Sequence, residues 1–73
     1  MKTYISTWFT SEGARPSEVV QKLEKLGFKK LTGAYDMEYD WGRNANVNDA
    51  LGLADNVQKA MKDDNVMFKV ETI

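Results

Sequence analysis

The sequence predicts an α+β fold with elements in the order β-α-β-β-α-β, an antiparallel sheet carrying both helices on one face. Three observations predict it. Segments 16–26 and 50–61 carry apolar residues at helical spacing. The two ends, 4–9 and 66–73, are rich in β-branched and aromatic residues that suit a pleated strand. Between the helical segments lies Gly33-Ala34-Tyr35-Asp36-Met37-Glu38-Tyr39-Asp40-Trp41, which holds three of the five Tyr and Trp residues, interleaved with three carboxylates.

In the first strand, side chains alternate: Ile5, Thr7 and Phe9 on one face, Tyr4, Ser6 and Trp8 on the other. Neither face is plainly polar, so both are candidates for burial. Residues 10–14 form a loop in which Gly13 supplies backbone freedom. Pro16 suits the first residue of a helix, where its missing N–H would have no partner anyway. Val19, Val20, Leu23 and Leu26 then make one apolar stripe. Glu18 near the helix start and Lys22 and Lys25 near its end complement the macrodipole. Gly27 is expected just past the helix in the left-handed conformation, with Phe28 folding back onto it.

Residues 29–41 allow two readings. One is a single long strand with Tyr35, Met37, Tyr39 and Trp41 on one face and Asp36, Glu38 and Asp40 on the other. The second is a hairpin with arms 30–35 and 38–41 and a tight turn at Asp36-Met37, which the usual strand length of about 5–6 residues favours. Gly33 in the first arm would mark a bulge or a close approach. A polar loop follows at 42–46, with Asn46 as the expected N-cap and Asp49 in the first turn. Ala50, Leu53, Ala54, Val57, Ala60 and Met61 trace the second helical stripe. Gly52 weakens that helix by up to ~1 kcal/mol relative to alanine, and with Ala50 and Ala54 it would permit close packing. Asp63-Asp64-Asn65 ends the helix. In the final strand Val66, Phe68 and Val70 alternate with Lys69 and Glu71. Two βαβ units, each crossing right-handedly, joined by a hairpin, make the split βαβ, ferredoxin-like arrangement, in which one sheet face stays open.

The bulk numbers bound the rest. Seventy-three residues make one domain with a small core. The chain has no cysteine, so no disulfide or thiolate site reinforces it. Ten basic and eleven acidic side chains leave a net charge of −1, which gives no broad field for nucleic acid or an anionic membrane. No apolar run reaches the ~18–20 residues of a membrane span, and the first eight residues lack a signal-peptide core. The expectation is a soluble, cytoplasmic protein.

Several short motifs carry a family resemblance. They are Tyr4-Ile5 followed by Phe9-Thr10 and Gly13, then Gly33-Ala34-Tyr35, Glu38-Tyr39-Asp40, and a closing Val66 to Glu71-Thr72. Together they resemble the small GYD-type domains of the dimeric α+β barrel group. The chain departs from that pattern in its compact first helix, in Met37 where a glycine is usual, and in a closing strand lengthened by one residue. The resemblance implies a homodimer formed by packing of open sheet faces, and a pocket between sheet and helices. It implies no settled activity.

The absence of histidine and cysteine removes Ser-His-Asp triads, thiol nucleophiles, His-bound zinc and haem ligation by either residue. The glycines are scattered, with no phosphate-binding loop. No catalytic residue, metal site or cofactor is therefore assigned. Asp36, Glu38 and Asp40 on one strand face would suit a hard cation, or would simply form a solvated strand face. Asp63 and Asp64 read as turn chemistry. Lys22, Lys25, Lys29 and Lys30 make a basic cluster, and Arg43 is the best lone candidate for gripping a carboxylate or phosphate.

If Ile5 faces the helices, Tyr4 and Trp8 lie on the open face, beside Met67. Such aromatics suit a self-association surface or, in RNA-recognition modules, base stacking; the Lys/Arg-Gly-Phe signature of the latter is missing. The leading expectation is a non-catalytic binding module that self-associates through its sheet face, with a protein partner or small molecule as further possibilities. The alternatives are a small dimeric barrel enzyme using Tyr35, Tyr39, Asp40 and Arg43 around an apolar pocket, and a single-stranded RNA-binding module.

Overall fold

In the computed structural model, which describes residues 1–31, 33 and 35–73, the chain runs β1 (Lys2–Trp8), α1 (Pro16–Lys25), β2 (Lys29–Lys30), β3 (Met37–Asp40), α2 (Val47–Met61) and β4 (Met67–Thr72). The strands form one antiparallel sheet in the spatial order β2-β3-β1-β4. β1 lies antiparallel to both β3 and β4, and β2 antiparallel to β3. Each helix thus joins two parallel strands that are separated by one other strand. Among the described residues no helix is long and apolar enough to cross a membrane.

The register decides which face of β1 is inside. Ile5 sits between Met37 and Val70, and Thr3 between Tyr39 and Thr72. Ile5, Thr3 and Met37 are buried, and they pack with Val19 and Leu23 of α1, Leu53, Val57 and Met61 of α2, and Phe28. Burying Thr3 is tolerable because its hydroxyl is satisfied: Oγ1 lies 2.8 Å from Thr72 Oγ1 and accepts from Trp41 Nε1 at 2.8 Å.

Local signals set both helices. Pro16 opens α1, and the helix closes with Gly27 N–H donating to the Glu24 carbonyl and Phe28 N–H to the Leu23 carbonyl, the paired bonds of a Schellman end. Gly27 is required twice over: its φ is +106°, and a Cβ there would lie 2.7 Å from the Tyr39 ring. α2 opens with a reciprocal capping box between Asn46 and Asp49. Its stripe buries Leu53, Val57 and Met61 as the spacing predicts. Gly52 does not serve close packing, because a Cβ there would meet nothing within 4 Å.

The middle of the chain departs from both readings of the sequence. It is a hairpin rather than one long strand, but its arms are Lys29–Lys30 and Met37–Asp40. Thr32 and Ala34 of the expected first arm lie outside the described residues. The turn does not fall at Asp36-Met37. Met37 opens β3 and is buried against Ile5, and exposing it in a turn would forfeit that burial. Asp36 is held as an extension of β3: its N–H donates to the Ile5 carbonyl at 3.0 Å and its carbonyl accepts from Leu31 N–H at 2.9 Å. Gly33 has φ +123° with open space around it, so its role is conformational rather than a close approach.

Candidate functional site

The sheet face away from the helices carries Tyr4, Ser6 and Trp8 of β1, Glu38 and Asp40 of β3, and Met67, Lys69 and Glu71 of β4, as strand alternation and the register require. Tyr35, from the hairpin connection, folds onto this face. Its ring stacks on Tyr4 at a centroid distance of 4.6 Å and an interplanar angle of 24°. Its hydroxyl donates to Glu71 Oε2 at 2.6 Å. That bond to the Glu71 carboxylate, reinforced by burial and by the Glu71 charge, raises the Tyr35 pKa above its ordinary 10.0. Tyr35 therefore remains a neutral donor at physiological pH.

At the far end of the face Trp8 and Met67 are direct cross-strand partners. Trp8 is 53% exposed and Met67 71% exposed, so two large apolar side chains stand together in solvent. At the Tyr4 end of the face the charges alternate in sign. Lys2 Nζ lies 3.5 Å from Glu38 Oε2, and Lys29 stands opposite Glu38 in the β2–β3 register.

The remaining candidates go elsewhere. Tyr39 lies on the helix-facing side, edge-on to Phe28 at 5.7 Å and to Trp41 at 4.8 Å. Asp40 Oδ1 accepts from Gly42 N–H at 2.9 Å and shapes the following turn. Arg43 donates to Asp49 Oδ2 at 3.0 Å and lies 5.6 Å from the centre of the Trp41 ring. The Arg43 bond, with that from the Asn46 backbone, holds Asp49 below its ordinary pKa of 3.8. Arg43 thus buttresses the start of α2. Tyr35, Tyr39, Asp40 and Arg43 do not converge on one site.

The acidic triad also separates. Asp36 turns its carboxylate to Thr7, accepting from Thr7 N–H at 2.6 Å and Oγ1 at 2.8 Å, while Glu38 and Asp40 stay on the open face. Among the described residues no cluster of three or more acidic, His or Cys side chains is placed to hold a metal. The basic cluster disperses as well. Lys22 caps the end of α2, donating to the Ala60 carbonyl at 3.1 Å and to both Asp64 oxygens at 2.8 Å. Asp64 lies in the turn after α2, as expected, and is also buried, and the pair ties α1 to the end of α2.

Two grooves lie between sheet and helices. One of about 340 Å³ runs between α2 and β4, lined by Met1, Val47, Leu51, Ala54, Val70 and Thr72 among others. The other, about 260 Å³, lies by α1 and is lined by Thr7, Phe9, Val20, Lys30, Asp36 and Met37 among others. None of Tyr35, Tyr39, Asp40 and Arg43 lines either groove. Sequence reasoning missed Glu71 as the partner of Tyr35; the alternation of β4 placed Glu71 on the solvent side, but nothing local pointed to Tyr35. Comparison with known proteins finds no matching family model, no matching curated protein and no matching solved structure.

Proposed function

We propose that the chain is a non-catalytic interaction module of ferredoxin-like topology that self-associates through its open sheet face. The observation that carries this reading is the Trp8–Met67 pair, exposed side by side on the same sheet face as the Tyr4–Tyr35 stack. Association would remove this apolar surface from water, and contiguous exposed aromatics commonly mark such surfaces. Lys2, Lys29 and Lys69 share that face with Glu38, Asp40 and Glu71, so neither sign of charge dominates it. The strand order, with one strand inside each βαβ crossover, supports the ferredoxin-like assignment. The GYD-type resemblance fits a dimer of the same kind.

The same balance of charge gives RNA no phosphate track, and the scattered Tyr35, Tyr39, Asp40 and Arg43 give a barrel-enzyme reading no assembled centre. Sedimentation equilibrium of the wild type and Trp8→Glu over a wide concentration range tests the proposal. The variant should show a lower average mass wherever the wild type associates. Equal masses would overturn it. Titration with single-stranded RNA at low salt should show no binding, and saturable binding lost in Trp8→Glu would replace self-association with RNA recognition.

A further inference from the structure

β4 lies at the edge of the sheet, and among the described residues no strand covers its outer side. Its hydrogen-bonding phase is set at one end, where Lys2 N–H donates to the Ile73 carbonyl at 3.1 Å and Ile73 N–H to the Lys2 carbonyl at 2.9 Å. Antiparallel pairs alternate between bonded and non-bonded positions. Glu71, Lys69 and Met67 therefore direct their backbone groups at β1, like Ile73, and Phe68, Val70 and Thr72 direct theirs outward. Val70 and Thr72 also line the apolar groove shared with α2, whose Val47 and Leu51 are 74% and 57% exposed. Edges that must stay single are usually blunted by proline, bulges, lysine or inward-pointing charge. β4 has no proline, its Lys69 and Glu71 lie on the open face rather than beside the groove, and its single lysine is matched by Glu71 two residues on.

The charges also select a partner and a register. In a two-fold antiparallel pairing outward residues must face outward residues, so the axis falls at a residue and not between two. Centred on Lys69, the pairing sets lysine against lysine. Centred on Glu71, it sets glutamate against glutamate. Centred on Val70, it sets Lys69 against Glu71 of the second copy, twice, at the non-bonded positions where side chains come closest. Phe68 then faces Thr72, and Val70 faces itself. We infer that the β4 edge is a second self-association surface, at which two copies of this chain pair antiparallel about Val70 and continue the sheet, with Val47 and Leu51 flanking the seam. It is independent of the open-face contact.

The test is sedimentation equilibrium in the Trp8→Glu background, which removes the proposed face contact and leaves the β4 edge intact. Trp8→Glu should still self-associate. Adding Lys69→Glu, or separately Glu71→Lys, should weaken that association about tenfold or more, as two attractive pairs become repulsive. An equimolar mixture of the two should recover it, because the two carboxylates of one variant then face the two lysines of the other. A Trp8→Glu protein that is monomeric where the wild type associates overturns the edge proposal and leaves the face reading standing; monomers in both overturn both. Association unaffected by Lys69→Glu, or a mixture no tighter than its components, also overturns it. Equal association of the wild type and Trp8→Glu, abolished by Lys69→Glu, sinks the face reading and upholds the edge.

Discussion

The two faces of β1 are made by one short strand and meet opposite fates. Inward, Thr3 and Ile5 are wholly buried; outward, Tyr4 is half-covered and Trp8 stands largely in water. The larger side chains are on the outside. Size and aromatic character alone would have assigned the faces the other way. What decides is the partner each face meets. Inward lie two helices whose stripes offer Val19, Leu23, Leu53 and Val57, and residues of modest volume fit the gap between sheet and helix. Outward, Tyr4 is stacked by Tyr35, whereas Trp8 is 53% exposed. Burial of a hydroxyl therefore costs little once it is bonded, while a large ring stays exposed where it points away from the packed helices.

The largest effect that could undo this contrast is in the core. Ile5→Ala should destabilise the chain by about 2–5 kcal/mol, through lost transfer energy and the cavity left behind. Trp8→Ala, measured at low protein concentration, should stay within about 0.5 kcal/mol of the wild type. Urea denaturation of both variants checks the pair. A Trp8→Ala cost as large as that of Ile5→Ala would mean the outward face is part of the folding core after all.

A smaller effect tests the inward side. Thr3→Val keeps the volume and deletes the hydroxyl that bonds Thr72 and accepts from Trp41. Leaving those groups unsatisfied should cost about 1–3 kcal/mol. A neutral Thr3→Val in the same denaturation assay would show that water replaces the lost bonds.

The smallest effect lies on the outward side and is read by pH. Tyr35 is held above its ordinary 10.0 by Glu71 in the folded chain, and the unfolded chain lacks that bond. The stability it contributes is intact below the ordinary value and is lost as pH rises through the raised folded value. In a phenolate absorbance titration Glu71→Gln should bring the Tyr35 transition downward. It should also reduce the fall in stability at alkaline pH. An unchanged titration would place the Tyr35–Glu71 bond outside the solution structure.

Much of this was legible along the chain. Pro16 at the start of α1, Gly27 and Phe28 at its end, and Asn46 with Asp49 at the start of α2 are signals that act within a few residues, so spacing reveals them. The open-face neighbours Tyr4, Trp8 and Met67 followed from alternation once Ile5 was taken as inward. The hairpin turn was misplaced because Asp36 has turn chemistry, and that local preference lost to the burial of Met37 against Ile5. Tyr35, Tyr39, Asp40 and Arg43 are close in sequence yet reach separate surroundings, because strand alternation and two turns send neighbours in different directions.

Residue types and their spacing were enough to establish the order of elements, both helix ends and the exclusion of histidine and cysteine chemistry. These depend on backbone preferences and composition, which need no distant partner. The inward face of β1, the extent of the hairpin arms, and the pairs Lys22–Asp64, Arg43–Asp49 and Tyr35–Glu71 came from the folded arrangement. Lys22–Asp64 and Tyr35–Glu71 link side chains 42 and 36 positions apart. Their energy exists only after sheet and helices have packed, so no local pattern in the chain could carry it.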